Sequence, residues 1–497
     1  MSSRWVALGV LCASLLAIVV DNTIVNVALP TLVRELDADI GELQWVVDAY
    51  TLTFAGLLLL AGALGDRYGR RRILLAGLLV FGAASTAAAY AGGIGALIAA
   101  RAVMGAGAAL IMPATLSLLI SVFEDERERA TAVGIWAATA GLGVALGPVV
   151  GGYLLEHFWW GSIFIVNVPL CVLAIAVGRR VVPESLDAAA RRIDWAGAAL
   201  SGTGLIALTW AIIEAPSEGW TSPAVAGTGI AALALLGGFV AWQRRTPEPL
   251  LDVGLFRDPR FSAASAAIMV LFLALFGFLF LATQYLQFVL GFSPVEAGVR
   301  VLPYAGAMIV FASVSARLVA VFGTKRVATL GMLLFAAGLA IAGTLDVGTG
   351  YGRLALAFVA MGAGMGLAGA PATESIMNAL PPARANVGAA VNDTTRELGG
   401  ALGVAVVGSL ASAVYAAGLP SGTSEAASDS VGAAVAAGGP LAAAAQDAFV
   451  QALATASIVA AAVAAVGALI AWRHLPDAGD ADRATAAVDG RLRFPPP

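Results

Sequence analysis

Ionisable side chains interrupt apolar runs that are long enough to span a membrane. Asp21 lies in VVDNTIVNVALP (residues 19–30), and Arg101 lies in LIAARAVMGAG (residues 97–107). At about 1.5 Å per residue, each lies roughly 6–8 Å from the middle of its run, on the same side of the membrane. An opposite charge at the same depth offsets part of the cost of burying a charge, which is about 2.5–3.5 kcal/mol. We therefore predict that Asp21 and Arg101 meet, either as a structural ion pair or as a titratable site that attracts cations.

A second group of acids lies in VNDTTRELGG (residues 391–400), where Asp393 and Glu397 are four residues apart. Residues at this spacing share one helix face. Two neighbouring carboxylates are suited to reversible proton capture, unless Arg396 or a lipid-side interface neutralises them. Asp48 is a further candidate. It lies near the end of its apolar run and is either part of a cavity or an interfacial group.

Other kinds of chemistry are not indicated by the sequence. It has no phosphate-binding loop, no Cys/His metal cluster and no catalytic triad pattern, which disfavours ATP-driven transport and enzymatic catalysis. Its 2 histidines, His157 and His474, lie outside the apolar runs. We therefore expect no metal and no cofactor, with any transport driven by a proton gradient.

The elements that position these side chains are transmembrane helices. Hydrophobic residues make up 60% of the 497 residues and charged residues only 12%, whereas soluble proteins carry about 25% charged residues. The apolar stretches are about 20 residues long and continuous rather than alternating, which excludes a barrel. The sequence predicts an all-α polytopic membrane protein with fourteen spans, at residues 5–29, 43–64, 73–91, 94–118, 130–155, 161–180, 194–214, 222–242, 261–288, 295–316, 326–345, 353–376, 387–411 and 448–472.

The distribution of basic residues predicts the orientation of these spans. Nearly all of the 28 Lys and Arg residues fall in segments on the same side as the N-terminus, and outside the spans only Arg34 and Arg353 fall on the opposite side. Because cytoplasmic segments are enriched in Lys and Arg, we predict that both termini are cytoplasmic and that the protein lies in the inner or plasma membrane of the cell. The large outside loop 412–447 is predicted to be mobile, and the polar tail 476–497 to be disordered.

The chain contains an internal repeat. GALGDRYGRRR (residues 62–72) aligns with ARLVAVFGTKR (residues 316–326), and MGAG occurs at residues 104–107 and again at 361–364. Parallel halves packed around a midplane cavity are a known transporter architecture. We therefore predict two parallel six-helix bundles plus two inserted helices, with a first bundle over 1–180, the inserted helices and their cytoplasmic linkers over 181–260, a second bundle over 261–475 and the tail over 476–497.

Four motifs resemble those of the major facilitator superfamily, in particular its fourteen-helix drug:proton antiporter branch. They lie at residues 19–30, 62–72 and 97–107 and in GLGVALGPVVGG, residues 141–152. The resemblance implies that two six-helix halves rock against each other, which opens a central site to one side of the membrane and then to the other. It implies a conformational latch that contacts the opposite half, formed by Asp66, Arg67, Gly69, Arg70 and Arg71. It also implies an antiporter motif, formed by Gly141, Gly147, Pro148, Gly151 and Gly152. Small residues four apart let helices pack closely, which would seal the interface between the halves.

Together these features predict a proton-coupled efflux antiporter that exports lipophilic, cationic drugs by alternating access. Protons and substrate would compete for the carboxylates of Asp21, Asp393 and Glu397, and would therefore move in opposite directions. A set of bulky side chains in the ninth and tenth spans either lines an apolar cavity or faces lipid and neighbouring helices: Phe272, Phe276, Phe280, Tyr285, Phe288, Tyr304 and Met308.

The predicted partners are a lipophilic small molecule, protons and the lipid bilayer, without nucleic acid. The resemblance to the family implies a monomer. Three alternatives remain open: an exporter dedicated to one antibiotic or metabolite, a lipid translocator, and a membrane sensor or scaffold that transports nothing.

Overall fold

Helices make up nearly all of the protein in a computed structural model, which describes residues 3–123, 125–186, 193–380 and 385–475. Within these ranges fourteen helical stretches are long and apolar enough to cross a membrane, as the sequence predicts. The predicted disordered tail, 476–497, lies outside the described residues. In chain order the helices are α1 (Ser3–Leu36), α2 (Ile40–Tyr68), α3 (Arg70–Ala89), α4 (Ile94–Val122), α5 (Glu126–His157), α6 (Ser162–Ile165), α7 (Asn167–Val181), α8 (Trp195–Glu218), α9 (Pro223–Gln243), α10 (Pro259–Gln284), α11 (Pro294–Phe322), α12 (Thr324–Ala342), α13 (Tyr351–Asn378), α14 (Ala385–Gly418), α15 (Glu425–Asp429), α16 (Val431–Ala437) and α17 (Gly439–His474).

Each predicted span corresponds to one helix or to one short composite. The sixth span consists of α6 and α7, and the ninth consists of α10 and a π-helical segment, Tyr285–Val289. The inserted spans are α8 and α9, and the thirteenth span is α14. Helices of this length suit a bilayer because an α-helix satisfies its backbone hydrogen bonds internally where no water is available.

The sequence repeat is visible as a repeated packing arrangement. In the first half, Gly105 of α4 packs against the backbone of Tyr50 in α2; in the second half, Gly362 of α13 packs against the backbone of Tyr304 in α11. The loop glycine Gly69 has a positive φ of 108°, and its counterpart Gly323 has a φ of 85°. A side chain at either would be strained in this backbone region. The alignment of the two motifs therefore reflects the same local geometry in both halves.

The two halves contact each other at one end of the bundle, which we call the closed end and define by Gln44, Gly152, Gln287 and Val295. Gln44 of α2 reaches across to α14, where its Nε2 donates to the carbonyl oxygens of Val404 at 2.9 Å and Ala405 at 3.0 Å. Gln287 donates to the Val27 carbonyl of α1 at 2.9 Å. The backbone N–H of Val295 donates to Glu156 Oε1 at 3.1 Å. The 62–72 loop lies at the opposite end.

The inserted helix α8 lies over this interhalf contact and packs against both α2 and α14. Pro216, inside α8, has no N–H, so the carbonyl of Ile212 loses its donor four residues later. Ser409 of α14 supplies a replacement, because its hydroxyl donates to the Ile212 oxygen at 2.8 Å. The insertion is therefore joined by hydrogen bonding to the second half at the closed end.

The segment 412–447 differs from the sequence prediction of a mobile loop. Helix α14 continues to Gly418, α15 and α16 follow, and α17 begins at Gly439. The Tyr415 hydroxyl donates to the Ala427 carbonyl at 3.0 Å, and Val431 is buried. The Ala-rich and Gly-rich composition suggested mobility, but alanine is also the best helix former, and the small residues pack closely here.

Candidate functional site

The predicted contact between Asp21 and Arg101 is confirmed. Arg101 Nη1 lies 2.5 Å from Asp21 Oδ2, and both residues are buried, with exposed fractions of 1% and 0%. Arg101 Nε also donates to the Val46 carbonyl at 3.0 Å. Asn167 of α7 donates from Nδ2 to Asp21 Oδ1 at 2.8 Å. This network balances the two charges in an environment where an unpaired charge would be costly, and Asp21 is sealed from solvent in this state.

Tyr50 of α2 packs against this ion pair. Its ring centre is 4.3 Å from the guanidinium carbon of Arg101, within the range of a cation–π contact. Tyr50 also interacts electrostatically with Asp21 and with Glu397 of α14. Its buried hydroxyl has no hydrogen-bond partner among the described residues. Tyr50 therefore places an aromatic ring and an available hydroxyl beside the ion pair.

Asp393 and Glu397 lie on the part of α14 that is less deeply buried. Arg396 Nη1 is 3.9 Å from Asp393 Oδ1, with side-chain exposed fractions of 42% and 23%. Asn392 Nδ2 also donates to Asp393 Oδ1, at 3.2 Å. Glu397 is half-buried and, within the described chain, has no ion pair shorter than 4 Å. Arg396 thus engages Asp393 more closely than Glu397, which leaves Glu397 the better placed of the two acids to accept a proton or a cation.

Asp48 lies inside the protein, on α2 one turn from Gln44. It is fully buried, which excludes a purely interfacial position. Asp48 Oδ1 is 3.5 Å from the Thr51 hydroxyl, and its Oδ2 has no partner among the residues that the structure describes. Asp48 is therefore a buried acid close to the closed end.

The 62–72 loop makes a different set of contacts from the one that the resemblance implies. Asp66 Oδ1 accepts from Arg70 Nε at 2.9 Å and Nη2 at 2.7 Å, within the loop itself. In the described part of the chain, Asp66 has no hydrogen bond or ion pair with the second half. Glu184, which follows α7, instead accepts from the Arg71 backbone N–H at 3.0 Å and lies against Gly69. Among the described residues, the polar contacts of this loop thus run within the loop and to the segment that follows α7.

The antiporter motif packs α5 against two different helices. Gly143, Gly147 and Gly151, four residues apart, lie against α1. Gly152 lies against the second half, where an added methyl group would be 2.5 Å from the Pro294 carbonyl oxygen. Gly141 differs, because a methyl group there would meet no atom within 4 Å. Close packing across the interface is therefore seen at Gly152 but not at Gly141.

The bulky side chains of the ninth and tenth spans have divided roles. Tyr304 lines a small cavity between the halves. Tyr285 is buried, and its hydroxyl donates to loop carbonyls 3.4 Å away. Phe272 and Phe276 stack on each other with ring centres 6.1 Å apart. The cavity interpretation thus holds for Tyr304, whereas the other three pack within the second half.

Sequence reasoning did not identify Asn167, Tyr50, Gln44 or Glu184. The first three are polar residues in apolar spans, and that signal alone could have marked them for attention, because buried polar groups require partners. Nothing in the sequence around Glu184 distinguishes it from other charged residues that follow a span.

Comparison with known proteins agrees with this architecture. The chain matches the sequence model of the Major Facilitator Superfamily over residues 11–404. It is 37% identical to the multidrug efflux pump LfrA of Mycolicibacterium smegmatis, with 89% of each chain covered. It is 34% identical to the tetracenomycin C resistance and export protein of Streptomyces glaucescens, covering 82% of this chain and 76% of that protein. It is 35% identical to the methyl viologen resistance protein SmvA of Salmonella typhimurium, covering 85% and 86%.

Solved structures show the same fold at low sequence identity. A bacterial homologue of the human lysosomal transporter Spinster, inward-facing and unoccupied, superposes with a TM-score of 0.67 at 15% identity, covering 95% of this chain and 97% of that chain. The Escherichia coli xylose transporter XylE, partially occluded and inward open, gives a TM-score of 0.61 at 14% identity, covering 96% and 99%. The chain is a transporter rather than an enzyme, and it belongs to the Major Facilitator Superfamily, within the fourteen-helix group related to drug-efflux proteins.

Proposed function

We propose that this protein is a proton-coupled antiporter that exports lipophilic cations from the cytoplasm by alternating access. The observation that carries the proposal is that each half contributes an acid from within a membrane-spanning helix, the buried Asp21 of α1 and the half-buried Glu397 of α14. Ionisable groups inside a membrane are functional by default. Acids held between two six-helix halves that rock against each other can gain protons from one side of the membrane and release them to the other.

The two acids differ in access, and this difference gives the cycle its direction. Asp21 is sealed and bonded to Arg101 and Asn167, whereas Glu397 is only half-buried. In the state described, Glu397 would take up the cationic substrate. Opening of the closed end would then expose the site to the other side, where protons displace the substrate. Each charge that crosses the membrane contributes about 2.3 kcal/mol per 100 mV of potential.

The orientation follows from the basic residues. The 62–72 loop carries four arginines and lies at the end opposite to the closed end. If positive segments face the cytoplasm, the closed end faces outward and the structure is an inward-facing, substrate-loading state. The separation of Asp66 from the second half supports this interpretation, because a latch that links the halves at the cytoplasmic end would oppose opening there.

Export of a single antibiotic is a second candidate function. It is favoured by the relatives, which include proteins named for resistance to tetracenomycin C, methylenomycin A and puromycin as well as multidrug pumps. The two functions use the same fold and the same acids. A resistance profile across chemically unrelated drugs separates them, because a dedicated exporter protects against one drug class only.

The proposal is tested by transport in proteoliposomes that contain the purified full-length protein. We expect an imposed proton gradient to drive ethidium against its concentration gradient, and a protonophore to abolish that movement. Glu397→Gln should abolish proton-driven transport. Glu296→Gln is the matched control, because Glu296 is an exposed acid at the start of α11, and it should leave transport intact. Wild-type transport that is indifferent to the protonophore would refute proton coupling.

A further inference from the structure

A small cavity lies between the halves beneath the closed end. Its volume is about 30 Å³, which is enough to hold one or two water-sized groups. Its walls come from α1, α5, α10 and α11, so both halves contribute. The residues that matter for its chemistry are Thr23, Asn26, Val144, Pro148, Thr283 and Tyr304.

Three of the lining side chains already donate a hydrogen bond to the backbone. The hydroxyls of Thr23 and Thr283 and the side-chain amide nitrogen of Asn26 each donate to a backbone carbonyl four residues earlier in their own helix. The distances are 3.0, 3.3 and 3.3 Å, respectively. The Asn26 bond also fixes the orientation of its amide, because the nitrogen must face the carbonyl. The two hydroxyls are therefore not free to donate to an occupant of the cavity, whereas Asn26 has one further amide N–H.

The acceptors around the cavity are, in contrast, unused. Asn26 Oδ1 and the Tyr304 hydroxyl have no partner among the described residues, although the two residues are only 6% and 2% exposed. Prolines release two more acceptors. Pro30 and Pro148 lie inside helices and lack the N–H that would otherwise bond the carbonyls of Asn26 and Val144, four residues earlier. The residues that line the cavity therefore carry more unpartnered acceptors than donors, the remaining donors being the Tyr304 O–H and one N–H of Asn26.

We propose that this cavity is a subsite that selects substrates carrying an N–H or O–H donor. This inference rests on the proposed export of lipophilic cations and names the group that the site recognises. A buried acceptor without a donor is costly, so an occupant that brings a donor is favoured over one of equal size and charge that does not. A protonated amine meets this requirement, whereas a quaternary ammonium cannot.

The charges near the subsite are compatible with a cationic occupant. Arg396 interacts electrostatically with Tyr304, but Asp393 lies 3.9 Å from Arg396 and balances much of its charge. Glu397 lies one residue further along α14 and adds a negative charge. The N–H of the substrate would point into the cavity, and the lipophilic remainder would lie outside it, toward the opposite end of the bundle.

The test compares two cationic ligands that differ in the replacement of one N–H by N–CH3. Verapamil is a tertiary amine that is protonated at neutral pH, and N-methylverapamil is its permanently charged quaternary salt. Binding of each to the purified full-length protein in lipid nanodiscs is measured by tryptophan fluorescence titration. We expect the wild type to bind verapamil about tenfold more tightly than N-methylverapamil, which is the effect of one hydrogen bond to a charged donor.

Two substitutions remove acceptors with little change of shape. Tyr304→Phe and Asn26→Leu should each weaken verapamil binding by about tenfold and leave N-methylverapamil binding unchanged. Tyr285→Phe is the matched control, because its hydroxyl is bonded to loop carbonyls away from the cavity. It should preserve the preference for the tertiary amine.

The failure of this inference can be distinguished from the failure of the proposed function. Equal wild-type affinity for the two ligands, no saturable verapamil binding, or a Tyr304→Phe variant that weakens both ligands alike would overturn the subsite. The last result is the one expected of a cavity that holds only structural water. A preserved verapamil preference without proton-driven export would support the subsite and overturn the proposed coupling alone.

Discussion

Gln44 is expected to hold the closed end together, and its replacement should shift the protein toward the alternative access state. Its amide is 1% exposed and donates to two carbonyls of α14, at 2.9 and 3.0 Å. Gly408 makes room for that amide, because an added methyl group there would lie 2.9 Å from the Gln44 side-chain carbonyl carbon. Leucine at position 44 has a similar volume but cannot donate to either carbonyl.

The size of the shift follows from the number of hydrogen bonds lost. Interhelical hydrogen bonds in membranes contribute about 0.6 kcal/mol each and at most about 1.7 kcal/mol. Two such bonds give roughly 1–2 kcal/mol in favour of the closed end. Gln44→Leu should therefore reduce the ratio of closed to open populations by about 5- to 30-fold.

The assay is a distance measurement by double electron–electron resonance between spin labels at Gly92 and Gly350. Both positions are exposed, and an added side chain would meet no atom within 4 Å. The native Cys12 and Cys171 are replaced beforehand. Gln284→Leu is the control, because Gln284 is equally buried but donates within its own helix. If Gln44→Leu leaves the distance distribution identical to that of the Gln284→Leu control, the hydrogen bonds do not set the equilibrium, and the reasoning is wrong.

Three further predictions concern the ion pair, the interface glycine and the inserted helices. Asp21→Asn leaves the buried charge of Arg101 unpaired, so it should lower the free energy of unfolding by about 3–5 kcal/mol. Adding Arg101→Met to this variant should restore the melting temperature but not proton-driven transport. Gly152→Leu should abolish transport because its side chain collides with α11, whereas Gly141→Leu should retain it; equal activity in the two variants would contradict the packing argument. Burial raises the pKa of Asp194, but hydrogen bonds from Gly197, Trp242 and Gln243 outweigh that effect and hold the pKa below its ordinary value. This stabilisation is present above about pH 4 and is lost as the pH falls through the lowered pKa. Asp194→Asn should therefore reduce the acid-induced fall in the free energy of unfolding, measured by fluorescence as a function of pH.

The helix number, the internal repeat and the Asp21–Arg101 contact could be predicted because each depends on a strong, local physical constraint. A membrane-spanning helix needs about 20 apolar residues whatever its neighbours are. Two opposite charges at the same depth in an apolar medium have few partners besides each other. The equivalent packing of Gly105 and Gly362 likewise follows from a repeat that is visible in the sequence.

The contacts that depend on conformational state could not be predicted in this way. Among the described residues Asp66 bonds to Arg70 rather than to the second half, and the sequence does not show which end of the bundle is closed. The sequence is the same in both states. The anchoring of α8 by Ser409 also escaped prediction, because the freed carbonyl of Ile212 can be located from Pro216 whereas its donor lies almost two hundred residues away.

Proline has a common consequence in α1, α5 and α8. Each of Pro30, Pro148 and Pro216 frees one backbone carbonyl in a medium that offers no water. At α8 the structure supplies a donor from the protein, Ser409, and the result is a fixed contact. At α1 and α5 the freed carbonyls belong to residues that line the interhalf cavity. A fixed hydrogen bond to these carbonyls at the interface would prevent the halves from separating. If the donor comes instead from a substrate, the carbonyls that proline frees in α1 and α5 form a reversible hydrogen bond, whereas the one freed in α8 fastens the insertion to the second half.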